Sequence, residues 1–549
     1  MIRLADQLGT DHSAALSSAT IEHAVSRFLD ANPEINRNGT QWQTQRDAVY
    51  QLGTGGRLGV LIGIAGSGKT TVLTPLADAL RAEGRQVYGA ALSWKQTSAL
   101  GEAGIERDHR AAIDAFLKRV GRGKYKLDQN TTLIIDEIGQ VGRRQMLDIL
   151  RLQQRHGLQV LAIGDPKQNQ AIEAPAIELL RQALGPDKVP EILATVRQHT
   201  ERERIIAGLF REGQAGQAIA MKREDETAIL VPGGRDATIE RIAGLWRERM
   251  EARGSEPGFR LSISVPTNAD VNAIGCAIRR RLREIGQLGE DRVIVATKVR
   301  SEEAELALAV GDRVRVFDRV HAGPREVLAS NGDVLEIREL MQTGMVARND
   351  QGREAFVPWD KLRDRGAPVR LSYGWALTVD TSQGITSTEH IDALPSGSQA
   401  SQAFRGYVAE SRHRERTWMV INEAAERQQI NQRFPLGQPQ EIRASDVWQN
   451  IAANLSRQPL KASALEFLRI GTELRRGTIM AVQRGNEPGD RREQVGETRA
   501  AIHQRRDRIV LERTQIVHRI LEQAQALQQR VIEHFTSRQR HSRGPEISH

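Results

Sequence analysis

The chain has 549 residues, with 78 Lys and Arg against 69 Asp and Glu, and a formal net charge of +9. Hydrophobic residues make up 39% and charged residues 27%, which is typical of folded domains and excludes a wholly disordered chain. A single cysteine, Cys276, excludes a disulfide framework and a multi-cysteine zinc cluster. No apolar run approaches the roughly 18 residues of a membrane span, so we expect no membrane insertion and a cytoplasmic location.

The first half of the chain predicts a polar segment followed by an α/β domain. Turn signals near Asn32 and Asn36 close an expected adaptor segment over residues 1–40. Over residues 41–225, apolar runs alternate with helical patterns, which is typical of a parallel sheet covered by helices on both faces. These runs are Gly59–Ile64, Val87–Leu92, Thr132–Asp136 and Leu158–Gly164.

The second half predicts another α/β domain and a helical tail. Over residues 226–425 we expect apolar strands at Leu261–Pro266, at Val408 and at Trp418–Ile421. Alternating residues with Gly and Asn turns over about 292–372 predict a small antiparallel β-barrel inserted in this domain. Residues 426–549 are expected to be helical and basic, because twelve Arg accompany six acidic residues between positions 491 and 543. A long amphipathic helix is expected over 502–531, and the basic charge suits nucleic acid, an acidic partner or a solvated helix.

A glycine-rich loop carries the first chemical signal. The segment Gly63-Ile-Ala-Gly-Ser-Gly-Lys-Thr70 matches G-x-x-x-x-G-K-[ST] between an apolar strand and a helical pattern. Its glycines let backbone N–H groups turn towards phosphate oxygens, Lys69 can reach the β and γ phosphates, and the Thr70 hydroxyl can ligate Mg²⁺. We therefore predict ATP and Mg²⁺ as cofactors.

An acidic pair at the end of a later strand complements this loop. Asp136 and Glu137 directly follow the apolar residues Thr132–Ile135. Asp136 is expected to hold the Mg²⁺, and Glu137 is expected to activate the attacking water as a general base. Together with the loop, the pair predicts a nucleoside triphosphatase.

A third strand end supplies a family resemblance. The run Leu161-Ala-Ile-Gly-Asp165-Pro-Lys-Gln168 ends in a carboxylate and an amide, which suit a γ-phosphate sensor. This run resembles the third motif of superfamily 1 helicases of the RecD-like branch. The pattern of residues along the chain resembles the helicase portion of conjugative relaxase-helicases. The resemblance implies an α/β fold with two RecA-like P-loop NTPase domains, the inserted barrel and the helical tail.

Further motifs follow in the order of that family. Gln45 resembles the glutamine that reads adenine. Arg197 and Arg412 resemble two arginines that converge on the γ-phosphate, with Arg414 as a rival to Arg412. The run Thr381-Ser-Gln383-Gly-Ile-Thr386 resembles the motif that couples DNA to the ATP cleft. The implied catalytic residues are Lys69, Asp136, Glu137, Gln168, Arg197 and Arg412. The implied nucleotide-binding residues are Gln45, Gly63, Ala65, Gly66, Ser67, Gly68, Lys69, Thr70, Thr71, Asp165, Gln383 and Gly384.

The resemblance also implies a channel for DNA across the two domains. Such a channel combines phosphate contacts with a few stacking aromatic residues. Our candidate contacts are Trp94, Thr267, Asn268, Trp375 and Thr386, although ordinary core or edge packing is the commoner role for each Trp. The implied partners are single-stranded or tailed duplex DNA and a relaxase or other transfer-apparatus proteins, and the implied direction of travel is 5′ to 3′.

Two departures from the family pattern keep other functions open. Asp380-Thr381 stands where the family has His-Lys, and Ala91-Leu-Ser-Trp94-Lys-Gln replaces its usual Pro-Thr-Gly turn. The alternatives are a DNA-stimulated ATPase without strand separation and a DNA-binding assembly module with a structural nucleotide site. All five tyrosines fall within the expected motor, so we expect the chain to lack a nicking domain.

Overall fold

The computed structural model describes residues 1–168, 176–299, 302–323, 326–363, 367–401, 403–435 and 441–457. The strands before residue 225 are β1 (Leu58–Gly63), β2 (Gln86–Ala91), β3 (Arg110–Ala112), β4 (Thr131–Ile135), β5 (Gln159–Gly164) and β6 (Glu191–Ile192). The helices in this part are α1 (Ile2–Thr10), α2 (Ser18–Ala31), α3 (Thr40–Gly53), α4 (Lys69–Ala82), α5 (Thr97–Glu102), α6 (Ile113–Gly121), α7 (Arg143–His156), α8 (Ile177–Leu184), α9 (Glu201–Arg211) and α10 (Ala215–Glu224).

The remaining strands are β7 (Ala228–Val231), β8 (Leu261–Val265), β9 (Val293–Val299), β10 (Glu302–Leu308), β11 (Arg313–Val316), β12 (Val320–His321), β13 (Val327–Ala329), β14 (Val334–Met341), β15 (Gly344–Arg348), β16 (Glu354–Pro358), β17 (Leu371–Tyr373), β18 (Leu377–Thr378), β19 (Ser387–Leu394) and β20 (His413–Asn422). The remaining helices are α11 (Arg235–Arg253), α12 (Asn268–Glu284), α13 (Val379–Ser382), α14 (Ala403–Glu410), α15 (Glu423–Asn431) and α16 (Ala444–Ser456). None of the helices in the described part of the chain is both long and apolar enough to span a bilayer.

The first sheet contains six parallel strands in the order β3-β2-β4-β5-β1-β6. Every residue of β4 and β5 is buried, as expected for continuous apolar runs between two layers of helices. The four predicted strands are confirmed here. Because β1, β4 and β5 are neighbours and parallel, the segments that follow them meet at one edge of the sheet.

The N-terminal helices belong to the core of this first sheet. Ala5 and Leu8 of α1 pack in the cluster on one face, and Ile21 and Ala24 of α2 pack in the cluster on the other. Residues 2–31 therefore help to cover the sheet. An adaptor role for residues 1–40 stays a prediction.

The second sheet is also parallel, in the order β18-β8-β19-β20-β7. The α/β prediction is confirmed, but the strand expected at Val408 is wrong, because Val408 lies in α14 and packs with Val379. Sequence reasoning missed β7, β18 and β19 of this sheet, and the β19 sequence Ser-Thr-Glu-His-Ile-Asp-Ala-Leu is too polar for an apolar pattern. Within this strand, buried His390 contacts Ser262 and Ser264, whereas buried Asp392 has no hydrogen-bond partner among the described residues.

The insert consists of antiparallel strands between the two halves of the second domain. Five strands pair in the order β16-β15-β14-β11-β17, and β9 with β10 and β12 with β13 form two ribbons. The alternating pattern therefore predicted the antiparallel strands correctly. Closure of the insert into a barrel stays a prediction.

After the second sheet, the described chain is helical. Val447, Ile451 and Leu455 of α16 share a core cluster with Ile206 and Phe210 of α9. The basic tail and the amphipathic helix expected over 502–531 lie outside the described residues.

Candidate active site

The glycine-rich loop joins β1 to α4 with two residues in the left-handed region. Gly66 has φ of 75° and Gly68 has φ of 74°. A Cβ at Gly66 would lie 2.5 Å from Cβ of Arg197, and a Cβ at Gly68 would lie 2.4 Å from Nε2 of Gln45. Both conformation and space therefore require glycine at these positions. The loop leads into the N-terminus of α4, where backbone N–H groups favour an anion.

The side chains along this loop fit a nucleoside triphosphate with Mg²⁺. Ser67 Oγ is buried without a hydrogen-bond partner in the described residues. Lys69 Nζ lies 3.3 Å from the carbonyl oxygen of Gly63, and Thr70 and Thr71 occupy the first turn of α4. A cation, N–H groups at a helix N-terminus and a threonine hydroxyl are groups that phosphate and Mg²⁺ require.

The acidic pair lies at the end of β4, next to β2. The backbone N–H of Asp136 donates to the carbonyl of Ala90 at 2.9 Å. Glu137 has φ of 56°, and a residue other than glycine is uncommon in this region. Its N–H donates to Asp136 Oδ1 at 2.8 Å. Burial, and then the charge of Glu137, raises the pKa of Asp136 to about 6 against the opposing charge of Lys69.

The buried Asp136 carboxylate is therefore expected to lower the free energy of unfolding of the chain. Its pKa is higher in the folded chain than the ordinary value, so ionisation above about pH 6 costs folding free energy. We expect Asp136→Asn to raise the free energy of unfolding by roughly 1–3 kcal/mol at pH 7.5 and by progressively less as the pH falls towards 4. Thermal unfolding without nucleotide or Mg²⁺ measures this. Asp47→Asn, at an exposed position, is the control; a less stable Asp136→Asn protein at pH 7.5 would contradict the expectation.

Gln383 joins the two parallel sheets at the acidic pair. Its Nε2 donates to Glu137 Oε2 at 3.2 Å and to Gln168 Oε1 at 3.0 Å. Gln168 follows β5 of the first sheet, whereas Gln383 follows α13 beside the second. Gly384 comes next with φ of 84°. Groups predicted from three separate motifs therefore meet within hydrogen-bond distance.

Two arginines approach the same place from opposite sides. Arg197 packs on the loop at Gly66, and its Nη1 donates to the carbonyl of Ser411 at 2.7 Å. Arg412 is 1% exposed and donates from Nε to the carbonyl of Val408 at 2.6 Å. Burial, and then the charge of Arg197, lowers the pKa of Arg412 to about 9, and Glu137 opposes this shift. Arg414, the rival from sequence, is exposed.

Tyr407 is a functional candidate that sequence reasoning missed. Its hydroxyl accepts from the Ala65 N–H and donates to Asp165 Oδ2, each at 3.1 Å. Arg211 Nη2 also donates to Asp165, at 3.3 Å. The Asp165 carboxylate is thus engaged by protein groups, and its expected contact with nucleotide stays a prediction. The sequence signal that could have identified Tyr407 is its position five residues before Arg412 in the same motif.

Gln45 lies behind the glycine-rich loop. Its Nε2 donates to the carbonyl of Ser67 at 2.8 Å, and Gln41, which sequence reasoning missed, donates to the same oxygen at 3.1 Å. The neighbouring cavity of about 630 Å³ is lined by Gln41 but not by Gln45. Leu193 and Val196, both more than half exposed, also line it. Adenine recognition by Gln45 stays a prediction.

The candidate DNA contacts are dispersed. Trp375 and Thr386 line one cavity of about 550 Å³, and the Trp375 ring meets that of Trp246 edge to face. Thr267 caps α12 by accepting from the Asp270 N–H at 3.2 Å, and Asn268 is the first residue of that helix. Trp94 packs against the core of the first sheet. Contact of these residues with DNA stays a prediction.

Comparisons with known proteins agree with this geometry. Residues 41–229 match the family model described as an AAA domain. The conjugal transfer protein TraA of Agrobacterium fabrum is 28% identical over 400 residues, which cover 72% of this chain and 33% of that protein. The TraA protein of Rhizobium radiobacter is 27% identical over 377 residues, which cover 68% of this chain and 32% of that protein. The chain spans about one third of the length of these curated relatives.

Solved helicase structures are similar to the chain at lower identity. The Pif1 helicase from Bacteroides in complex with ADP-AlF3 and ssDNA is 20% identical with a TM-score of 0.41, covering 70% of this chain and 92% of that chain. Bacteroides Pif1 bound to ssDNA is 18% identical with a TM-score of 0.42, covering 71% and 94%. These likenesses concern the fold alone.

Proposed function

We propose that the chain acts as a superfamily 1 helicase of the TraA type, which uses ATP hydrolysis to move 5′ to 3′ along single-stranded DNA and to unwind tailed duplexes during conjugative transfer. Its partners in this proposal are a relaxase or other transfer-apparatus proteins. The contact of Gln383 with both Glu137 and Gln168 carries the proposal, because it ties the second sheet to the group expected to activate water.

Each side chain at the cleft has a distinct task in this proposal. Lys69 and the N–H groups of the loop bind the phosphates, while Thr70 and Asp136 hold Mg²⁺, which neutralises phosphate charge when bound. Glu137 orients a water molecule and accepts its proton. Arg197 and Arg412 stabilise the charge that develops on the transferred phosphoryl group.

Coupling to movement follows from the side of the cleft on which these groups lie. Arg412 belongs to the second domain, whereas Lys69 and Glu137 belong to the first. A γ-phosphate contacted by both sides favours the closed arrangement, and its loss removes that preference. The Tyr407 hydroxyl and the Gln383 amide transmit this change in domain closure between the loop and the second sheet. A strand held by both domains would then be gripped alternately.

A forked DNA assay tests the proposal. With ATP and Mg²⁺, we expect faster unwinding of a fork with a 5′ single-stranded tail than of a fork with only a 3′ tail. Glu137→Gln is the matched control, because it retains the phosphate loop but loses the base, and we expect no strand separation from it. Fluorescent strand displacement provides the measurement.

The other outcomes separate the alternatives. A preference for the 3′ tail would overturn the direction of travel. DNA-stimulated ATP turnover without unwinding of either fork would support an ATPase that moves or remodels without strand separation. Absence of any turnover would support an assembly module with a structural nucleotide site.

A further inference from the structure

Two arginines gather at Trp94, away from the nucleotide site. Arg119 of α6 and Arg319, in the turn between β11 and β12, lie over the Trp94 ring, with their guanidinium carbons 5.3 and 5.0 Å from its centre. Burial, and then the charges of Arg107 and Arg119, lowers the pKa of Arg319. Arg107 lies just before β3. The cluster therefore joins two parts of the first domain to the insert.

This cluster has no internal counter-charge. Among the described residues, Arg119 and Arg319 form no ion pair with a carboxylate, and Arg119 donates instead to the neutral Tyr125 hydroxyl. Like charges held close together repel each other unless an anion lies among them. The arrangement is therefore suited to an anionic ligand.

The insert also contacts the first domain beside the cluster. Lys95 Nζ donates to the carbonyl of Gly332 at 3.2 Å and lies 3.5 Å from Asp333 Oδ1. A Cβ at Gly332 would lie 3.7 Å from Cγ2 of Thr381, which precedes Gln383 by two residues. The turn at Gly332 thus bridges the loop after β2 and the segment that leads to the nucleotide site. These are the two places where the sequence departs from the helicase family pattern.

We propose that Arg119 and Arg319 form a phosphate clamp that binds the backbone of single-stranded DNA where the insert meets the first domain. The clamp rests on the proposed function, since it supplies part of the surface on which the strand moves. Guanidinium groups form paired hydrogen bonds with phosphate. Two of them, on separate parts of the chain, match a polyanion better than one phosphate. Trp94 acts as the platform that holds both of them, and its ring is covered rather than available to a base.

Substitution of both clamp arginines tests the proposal in the full chain. Fluorescence anisotropy with a labelled oligo(dT) measures affinity over a series of salt concentrations. We expect the double substitution Arg119→Gln and Arg319→Gln to weaken binding about ten-fold or more at moderate salt and to reduce the slope of log affinity against log salt by about 1.4, or about 0.7 per lost phosphate contact.

Two further variants separate the clamp from general charge and from packing. Arg241→Gln with Arg247→Gln removes the same charge from α11, where both arginines pair with Glu residues of that helix, and we expect wild-type binding. Arg119→Lys with Arg319→Lys keeps the charge, so we expect it to retain most of the salt slope. Unfolding curves recorded by circular dichroism establish that each variant is folded.

The outcomes distinguish this inference from the function on which it rests. Wild-type binding by the Arg119 and Arg319 glutamine variant would overturn the clamp while leaving the motor intact. An equal loss in the α11 control, or loss of the salt slope in the lysine variant, would also overturn it. A wild-type chain that binds no oligo(dT) would overturn the proposed function, and the clamp with it.

Discussion

Lys69→Ala is expected to reduce ATP turnover by at least about a thousand-fold, because no other cation of the loop can take its place at the phosphates. Lys69 is the first residue of α4, and its Nζ lies by the loop carbonyls of Gly63 and Ile64. Steady-state ATPase assays with and without single-stranded DNA measure the loss. Lys188→Ala, at an exposed position beyond α8, is the matched control and should hydrolyse ATP normally.

The Lys69→Ala variant tests the nucleotide site independently of movement along DNA. Persistent DNA-stimulated turnover in Lys69→Ala would place the active site elsewhere in the chain. Equal loss in the Lys188 control would indicate damage that is not specific to the loop.

Arg412→Ala is expected to lower ATP turnover by roughly a thousand-fold or more, the effect of losing an arginine that stabilises phosphoryl transfer. Arg412 is buried beside Arg197, and its pKa responds to the charge of Glu137. Arg412→Lys should restore little activity, since a lysine keeps the charge but cannot reproduce the planar fork of donors. Single-turnover hydrolysis and nucleotide affinity measure the two variants.

The sequence itself offers the control for this second prediction. Arg414 lies two residues away but is exposed, so Arg414→Ala should hydrolyse ATP at close to the wild-type rate. The reverse pattern, with activity lost in Arg414→Ala and kept in Arg412→Ala, would transfer the role to Arg414. Because Arg412 fills a buried position, thermal unfolding should accompany both assays.

The local motifs could be predicted because neighbours in sequence determine them. A run of apolar residues followed by glycines and a helical pattern defines the path from β1 through the loop to α4, and the same reasoning applies to β4 and Asp136. The error at Val408 and the missed strand β19 have one cause. A strand in the centre of a sheet can be polar when its partners satisfy it, and the serines that meet His390 are more than 120 residues away.

The amino-acid sequence by itself determined the α/β class, the phosphate loop, the acidic pair and the order of the motifs, since each depends on residues close together in the chain. Only the tertiary structure decided that Arg412 rather than Arg414 is buried beside Arg197, that Gln45 supports the loop from behind, and that Tyr407 bonds to it. The Tyr407 hydroxyl and the Ala65 N–H are 342 residues apart in sequence. Contacts of this kind depend on the packing of two sheets against each other, which no local pattern encodes.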